Sequence, residues 1–209
     1  EAGITQPDFL KLDTQGSELD ILSGASKALA TVIGLELEVE FLPMYHNQPL
    51  FRDVDKFLDE QGFFLMDLRR AFWKRKSFYD FPGKGQLVFG DALYFRRPEV
   101  LLDSVKMMTD RNQARQKIFQ AVAAAMIYRC PDYAVEVLDR AKTCGIIPEK
   151  DHAQWLQEIR EDCRRWAGPR FPGREFLARL FKKASERLRP ASHLGWADGD
   201  RYIGNVRNS

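Results

Sequence analysis

Apolar and polar positions follow two different rhythms along this chain, and the change comes near Pro98. Before it, short apolar runs alternate with helical spacings. Residues 8–13, DFLKLD, read as a strand, and 17–30 as a helix with Ser17 as N-cap and Leu19, Leu22, Ala25 and Leu29 on one face. VIGLELEVEF, residues 32–41, reads as a second strand. Residues 51–61 predict an amphipathic helix with Val54, Phe57 and Leu58 inward and Gly62 at a left-handed cap. FFLMDL and QLVFGDALYFRR predict two further strands, joined by RRAFWKRKSFYDFPGKG as a loop, and so an antiparallel hairpin closing a sheet. Beyond Pro98 the spacing is helical over about 100–128, 131–143, 148–167 and 173–188, and the last 20 residues predict an irregular tail. The pattern describes an α/β unit, 1–98, followed by an all-α helical appendage, 99–209.

Several charges sit where that pattern expects apolar residues. Lys11 and Asp13 interrupt the first strand, which turns through Gln15 and Gly16 into a helix with Glu18 in its first turn. A charge in a core strand is costly unless compensated, and in open α/β sheets ligands bind beyond the carboxyl ends of the strands. The competing structural reading has Asp13 capping the turn, Lys11 snorkelling outward and Glu18 supporting the helix dipole. On the second strand Glu36, Glu38 and Glu40 share one face and Leu35, Leu37, Val39 and Phe41 the other. Either this is an edge strand with a wet face, or it is central and a carboxylate near its end can act as a general base. His46, in the loop that follows, is a secondary base candidate or a plain surface residue. The stretch from Arg69 to Tyr79 interleaves basic and aromatic residues, as a solvated loop or as a cover for an anionic ligand.

Composition narrows the classes. The chain of 209 residues is 44% hydrophobic, enough for a substantial core, and its longest apolar run, Ala121–Tyr128, is far short of the roughly 20 residues of a membrane span. No membrane span is expected. Residues 1–98 carry 12 basic and 15 acidic side chains, and 99–209 carry 20 and 15. Cys130, Cys144 and Cys163 show no CxxC spacing, which predicts buried, inert thiols, no structural zinc and a cytoplasmic location. His152 and His193 lack metal-ligand spacing, and no metal site is expected. GxxxxGK[ST], GxSxG, HExxH and GxGxxG are all absent, so phosphate-loop enzymes, lipase-like hydrolases and zinc peptidases have no support.

DFLKLDTQGSELDILSGASKAL, the strand ending LEVEF, then LPMYHNQPLFRDVDKFLDEQGF and FFLMDL together resemble the carboxyl half of the FkbM-type methyltransferase domain over about residues 6–97. The resemblance implies an S-adenosylmethionine-dependent O-methyltransferase on a Rossmann-like seven-stranded sheet, with residues 8–22 as its fourth strand and turn. It implies Asp13, Gln15 and Gly16 beside the cofactor, and Glu18, Tyr45, Arg70, Trp73 and Lys74 toward the acceptor. Asp13 or Glu38, or less directly His46, would be the base. Acceptors of such enzymes are hydroxyls of sugars and other bacterial metabolites. The glycine-rich turn and acidic residue that hold the cofactor's methionine and ribose would precede residue 1, so the resemblance implies a truncated fragment, inactive alone. Residues 99–209 resemble no family. The alternative is a non-catalytic scaffold that docks a protein partner or a second copy through the helical region. Nucleic acid is not expected as a partner, because no base-reading module is present.

Overall fold

The computed structural model describes residues 6–79, 85–169 and 171–188. The predicted tail and Asp80–Lys84 of the basic stretch lie outside them. The elements run β1 (Phe9–Leu12), α1 (Glu18–Gly24), α2 (Ser26–Leu29), β2 (Gly34–Glu40), α3 (Phe51–Glu60), β3 (Phe63–Trp73), β4 (Gln86–Arg96), α4 (Pro98–Lys106), α5 (Arg111–Ile127), α6 (Pro131–Thr143), α7 (Glu149–Ala167) and α8 (Arg174–Leu188). The four strands order as β1-β2-β4-β3, with β1 parallel to β2 and β4 antiparallel to both of its neighbours. β2 is therefore interior, which removes the edge-strand reading of its glutamates.

The sheet has two apolar faces with different covers. Leu35, Leu37 and Val39 of β2 pack with Tyr94, Ala92, Leu22, Leu29, Val54 and Leu58, so α1, α2 and α3 lie on that side. On the other side Ile33, Leu93 and Phe95 share one core with Leu101, Ile118, Ala121, Tyr133, Val137 and Trp155 of the helices that follow. An aromatic seam joins sheet and helices. Phe9 stacks on Tyr128 with centroids 5.3 Å apart, and Phe95 on Tyr133 at 4.8 Å. Such pairs add about 0.5–1.5 kcal/mol beyond their buried area. The Tyr133 hydroxyl donates to the Arg96 carbonyl at 2.8 Å.

Five predictions from pattern are corrected. Asp13 lies beyond β1, which ends at Leu12, and it is exposed. Ser17 makes no side-chain cap, and the helix predicted over 17–30 is two short helices. The predicted loop begins later, because β3 runs on through Arg69 to Trp73: Arg69 Nε donates to Asp91 Oδ2 of β4 at 2.6 Å, which neutralises a charge inside the ladder. The helix predicted over 100–128 is interrupted before α5, where the Asp110 carboxylate accepts from the backbone N–H groups of Asn112 and Gln113 and starts a new helix. Of the cysteines, Cys130 is buried, whereas Cys144 is exposed and Cys163 half-buried, so the prediction of three buried thiols fails for two. Gly62 follows α3 with φ +82°, as its cap position requires.

Arg96, 6% exposed, closes the far end of β4. Its guanidinium donates to the carbonyls of Val32, at 2.8 Å, and Leu29, and lies 4.4 Å from the Phe63 ring centroid. Arg96→Ala leaves those carbonyls without donors, at about 1–3 kcal/mol for each unsatisfied group. Urea unfolding should show a loss of about 2–4 kcal/mol; a loss of only a few tenths would mean that water replaces the guanidinium freely.

Candidate functional site

After β1 the backbone turns sharply, with Gln15 at φ +53° and Gly16 at φ +109°. A Cβ at position 16 would stand 2.6 Å from Gln48 Nε2, so this turn needs glycine for conformation and for space. Glu18, 2% exposed, reaches back into the turn: one carboxylate oxygen accepts from Thr14 N at 2.7 Å and Thr14 Oγ1 at 2.9 Å, and the other from Gly16 N at 2.8 Å. Those bonds stand in for the missing Ser17 cap. Gln48 Oε1 accepts from the backbone N–H groups of Met44 and Tyr45 at 2.8 and 3.1 Å, fastening the loop after β2 over the same turn.

Strand register assembles the charged part of the site. Lys11 lies opposite Glu36, so Asp13, two residues on, continues that row to the level of Glu38. Glu38 in turn faces Asp91 of β4, and Asp91 faces Arg69 of β3. Glu38, Asp91 and Arg69 thus form one row across β2, β4 and β3, which Asp13 extends just past the end of β1, on the sheet face whose other end is covered by α4–α7. One step toward that cover, Glu36 accepts from Lys11 Nζ at 2.8 Å and from the Tyr128 hydroxyl at 2.5 Å. Burial disfavours its charge, but the hydrogen bonds from Lys11 and Tyr128 outweigh that and hold its carboxyl below the ordinary range. Lys11 therefore neutralises Glu36 rather than Asp13.

Glu38 has no such compensation. Burial pushes its carboxyl up, and the nearby charges of Asp13, Asp91 and Glu18 push in the same direction against a weaker pull from Arg69. Glu40, 2% exposed, is pushed up to about 7 by burial and by Glu18 and Glu38. Its Oε1 and Gln48 Nε2 are buried without a hydrogen-bond partner among the described residues. Periodicity placed Glu40 on this face without singling it out, although a third glutamate at i+2 was the available signal. Asp91, Gln48 and the Tyr128 hydroxyl could be found only from tertiary pairing.

The remaining predicted residues lie at the rim. Tyr45 and His46 are exposed in the loop after β2. Arg70 is exposed on β3, Trp73 is 39% exposed at its end, and Lys74, just past it, is buried. β3 runs parallel to β2, so these three stand at the same end of the sheet as Glu40 but two strands away. Among the described residues, no group of three or more His, Cys, Asp or Glu side chains is arranged to hold a metal ion, and no helix is long and apolar enough to cross a membrane.

The raised Glu40 carboxyl sets a pH dependence. A group protonated in the folded chain up to about pH 7, and ionised above about 4.5 when unfolded, contributes stability that is complete below 4.5 and is lost as pH rises toward 7. The slope is at most about 1.4 kcal/mol per pH unit for one proton. Glu40→Gln should remove that component, so the variant gains on the parent between these limits in urea unfolding; parallel pH profiles would exclude a neutral Glu40.

The family model described as the methyltransferase FkbM domain matches residues 1–65, a stretch that holds β1, the turn at Gly16, β2 and α3 and ends within β3. No curated protein and no solved structure matches the chain significantly.

Proposed function

We propose, from an amino-terminal part that matches methyltransferases of the FkbM kind, that the strand ends around Asp13 and Glu38 are the acceptor side of an S-adenosylmethionine-dependent O-methyltransferase. The observation that carries the reading is the row Asp13–Glu38–Asp91–Arg69 at the carboxyl ends of β1 and β2, with Glu38 half-buried and pushed toward the protonated form. On this reading β1 and β2 are the fourth and fifth strands of a seven-stranded sheet, and the acceptor is a hydroxyl of a small metabolite or glycan.

The site suits the donor in charge. Four carboxyl groups, those of Asp13, Glu18, Glu38 and Asp91, meet at this end with the Arg69 guanidinium paired to Asp91, and Glu40, neutral below about pH 7, keeps a buried oxygen unpaired. A net-acidic, partly desolvated cleft complements a sulfonium cation. S-adenosylmethionine supplies, when bound, a methyl group already activated for transfer. Asp13 and the left-handed turn at Gln15 and Gly16 are the residues that would hold it. Glu38 takes the acceptor's hydroxyl proton, and its raised affinity for protons makes it a better base than an ordinary carboxylate. Asp91, held by Arg69, faces Glu38 across the β2–β4 pair, and its like charge adds to the proton affinity of Glu38. Tyr45 and Trp73, exposed at the same end, line the acceptor's approach, whereas Arg70, next to Arg69 on β3, belongs to the opposite sheet face. His46 is the weaker base candidate, being exposed in the loop after β2.

Positioning is worth up to roughly 7–11 kcal/mol in such a transfer, and the general base about 10²–10⁴-fold. In the protein as its gene encodes it, Glu38→Gln should lower turnover by about 10²–10⁴-fold and leave cofactor affinity nearly unchanged. Asp13→Asn should lower turnover more than it weakens the cofactor. Turnover should rise with pH through a value above the ordinary carboxylate range, and Glu38→Gln should abolish that limb. Transfer of labelled methyl from S-adenosylmethionine to hydroxylated acceptors reads all three; a Glu38→Gln enzyme with the parent's rate and pH profile removes Glu38 from the chemistry.

A further inference from the structure

α8 is built unlike the other long helices. α5, α6 and α7 each bury an apolar stripe in the common core, but no residue of α8 belongs to either buried cluster. Phe176 and Phe181 are each 69% exposed, Leu188 is 82% exposed, and Leu177 and Leu180 are exposed as well. At about 100° per residue these five fall within an arc of roughly 140°, so they form one continuous stripe and not scattered surface contacts. An exposed stripe of this size on a water-soluble helix marks an interaction surface.

The charge around the stripe identifies the partner. Residues 174–188 contain five basic side chains, Arg174, Arg179, Lys182, Lys183 and Arg187, against two acidic ones. On the helical wheel Lys183 borders one edge of the stripe, with Arg187 just inside that edge, and Arg174 borders the other; long cationic side chains there can lay their methylenes along an apolar boundary and hold their charges in water. Aromatic and leucine side chains on one face, bordered by Lys and Arg, with a modest overall hydrophobicity, describe a helix that lies in a membrane interface. An apolar protein groove would need no such rim of positive charge. We propose that α8 is a membrane-surface anchor that inserts its Phe176–Leu188 stripe into a bilayer containing anionic lipids. The inference is independent of the methyl-transfer reading.

Flotation of the whole chain with vesicles tests it. The chain should float with vesicles of phosphatidylcholine mixed with phosphatidylglycerol, remain behind with phosphatidylcholine alone, and be released by high salt. Phe176→Ser/Phe181→Ser and Lys182→Glu/Lys183→Glu should each reduce the vesicle-bound fraction about tenfold. Both pairs should keep the parent's circular dichroism and unfolding midpoint, because all four side chains are exposed. No flotation with the mixed vesicles overturns the proposal, as does flotation that neither pair weakens. A chain that self-associates in solution through Phe176 and Phe181, and ignores vesicles, assigns the stripe to a second copy and overturns it equally.

Discussion

Everything at the candidate site depends on how one interior strand carries three glutamates. β2 is paired on both sides and covered by α1–α3 on its leucine face, where Leu35, Leu37 and Val39 are fully buried. Its other face cannot be apolar throughout, and each carboxylate meets a different environment. Glu36 is neutralised by Lys11 and Tyr128. Glu38 joins a row of like charges with one arginine at its end. Glu40 is buried against Gln48 with an oxygen unpaired. Along about 14 Å of strand, at roughly 3.4 Å per residue, the face passes from a closed ion pair to an acid that favours its proton.

The helical region fixes where that gradient begins. Tyr128 stacks on Phe9 and gives its hydroxyl to Glu36, so the last aromatic contact between helices and sheet is also the first polar contact of the site. α4–α7 therefore serve as one wall of the sheet as well as a core of their own. That coupling links residues 92 positions apart in sequence, and it marks where the apolar rows of this sheet face give way to the charged ones.

Much of this was legible in sequence where the signal was local. Leu/Glu alternation located β2 and its polar face, the 3.6-residue spacing and glycine located α3 and its cap, and Pro98 marked the change to helical spacing. The failures have one physical origin, in that tertiary partners override local preference. Arg69 reads as loop because a basic residue disfavours a strand interior, until Asp91 pairs with it. Asp13 reads as strand because the run FLKLD is continuous, but pairing with β2 ends at Leu12. Ser17 reads as a cap, yet Glu18 satisfies the turn first. For the site, Asp13 and Glu38 could be found from position at the carboxyl ends of β1 and β2, whereas Asp91, Gln48 and Tyr128 become visible only once register and packing bring them in.

The central claim is that the ends of β1 and β2 form a cofactor-facing site. Backbone amide NMR of the protein as its gene encodes it, titrated with S-adenosylhomocysteine, tests this most directly. Saturable shifts concentrated at Thr14–Glu18 and from Glu38 through Tyr45 are expected. Saturable binding that leaves both segments unmoved, or no binding at all, would contradict it.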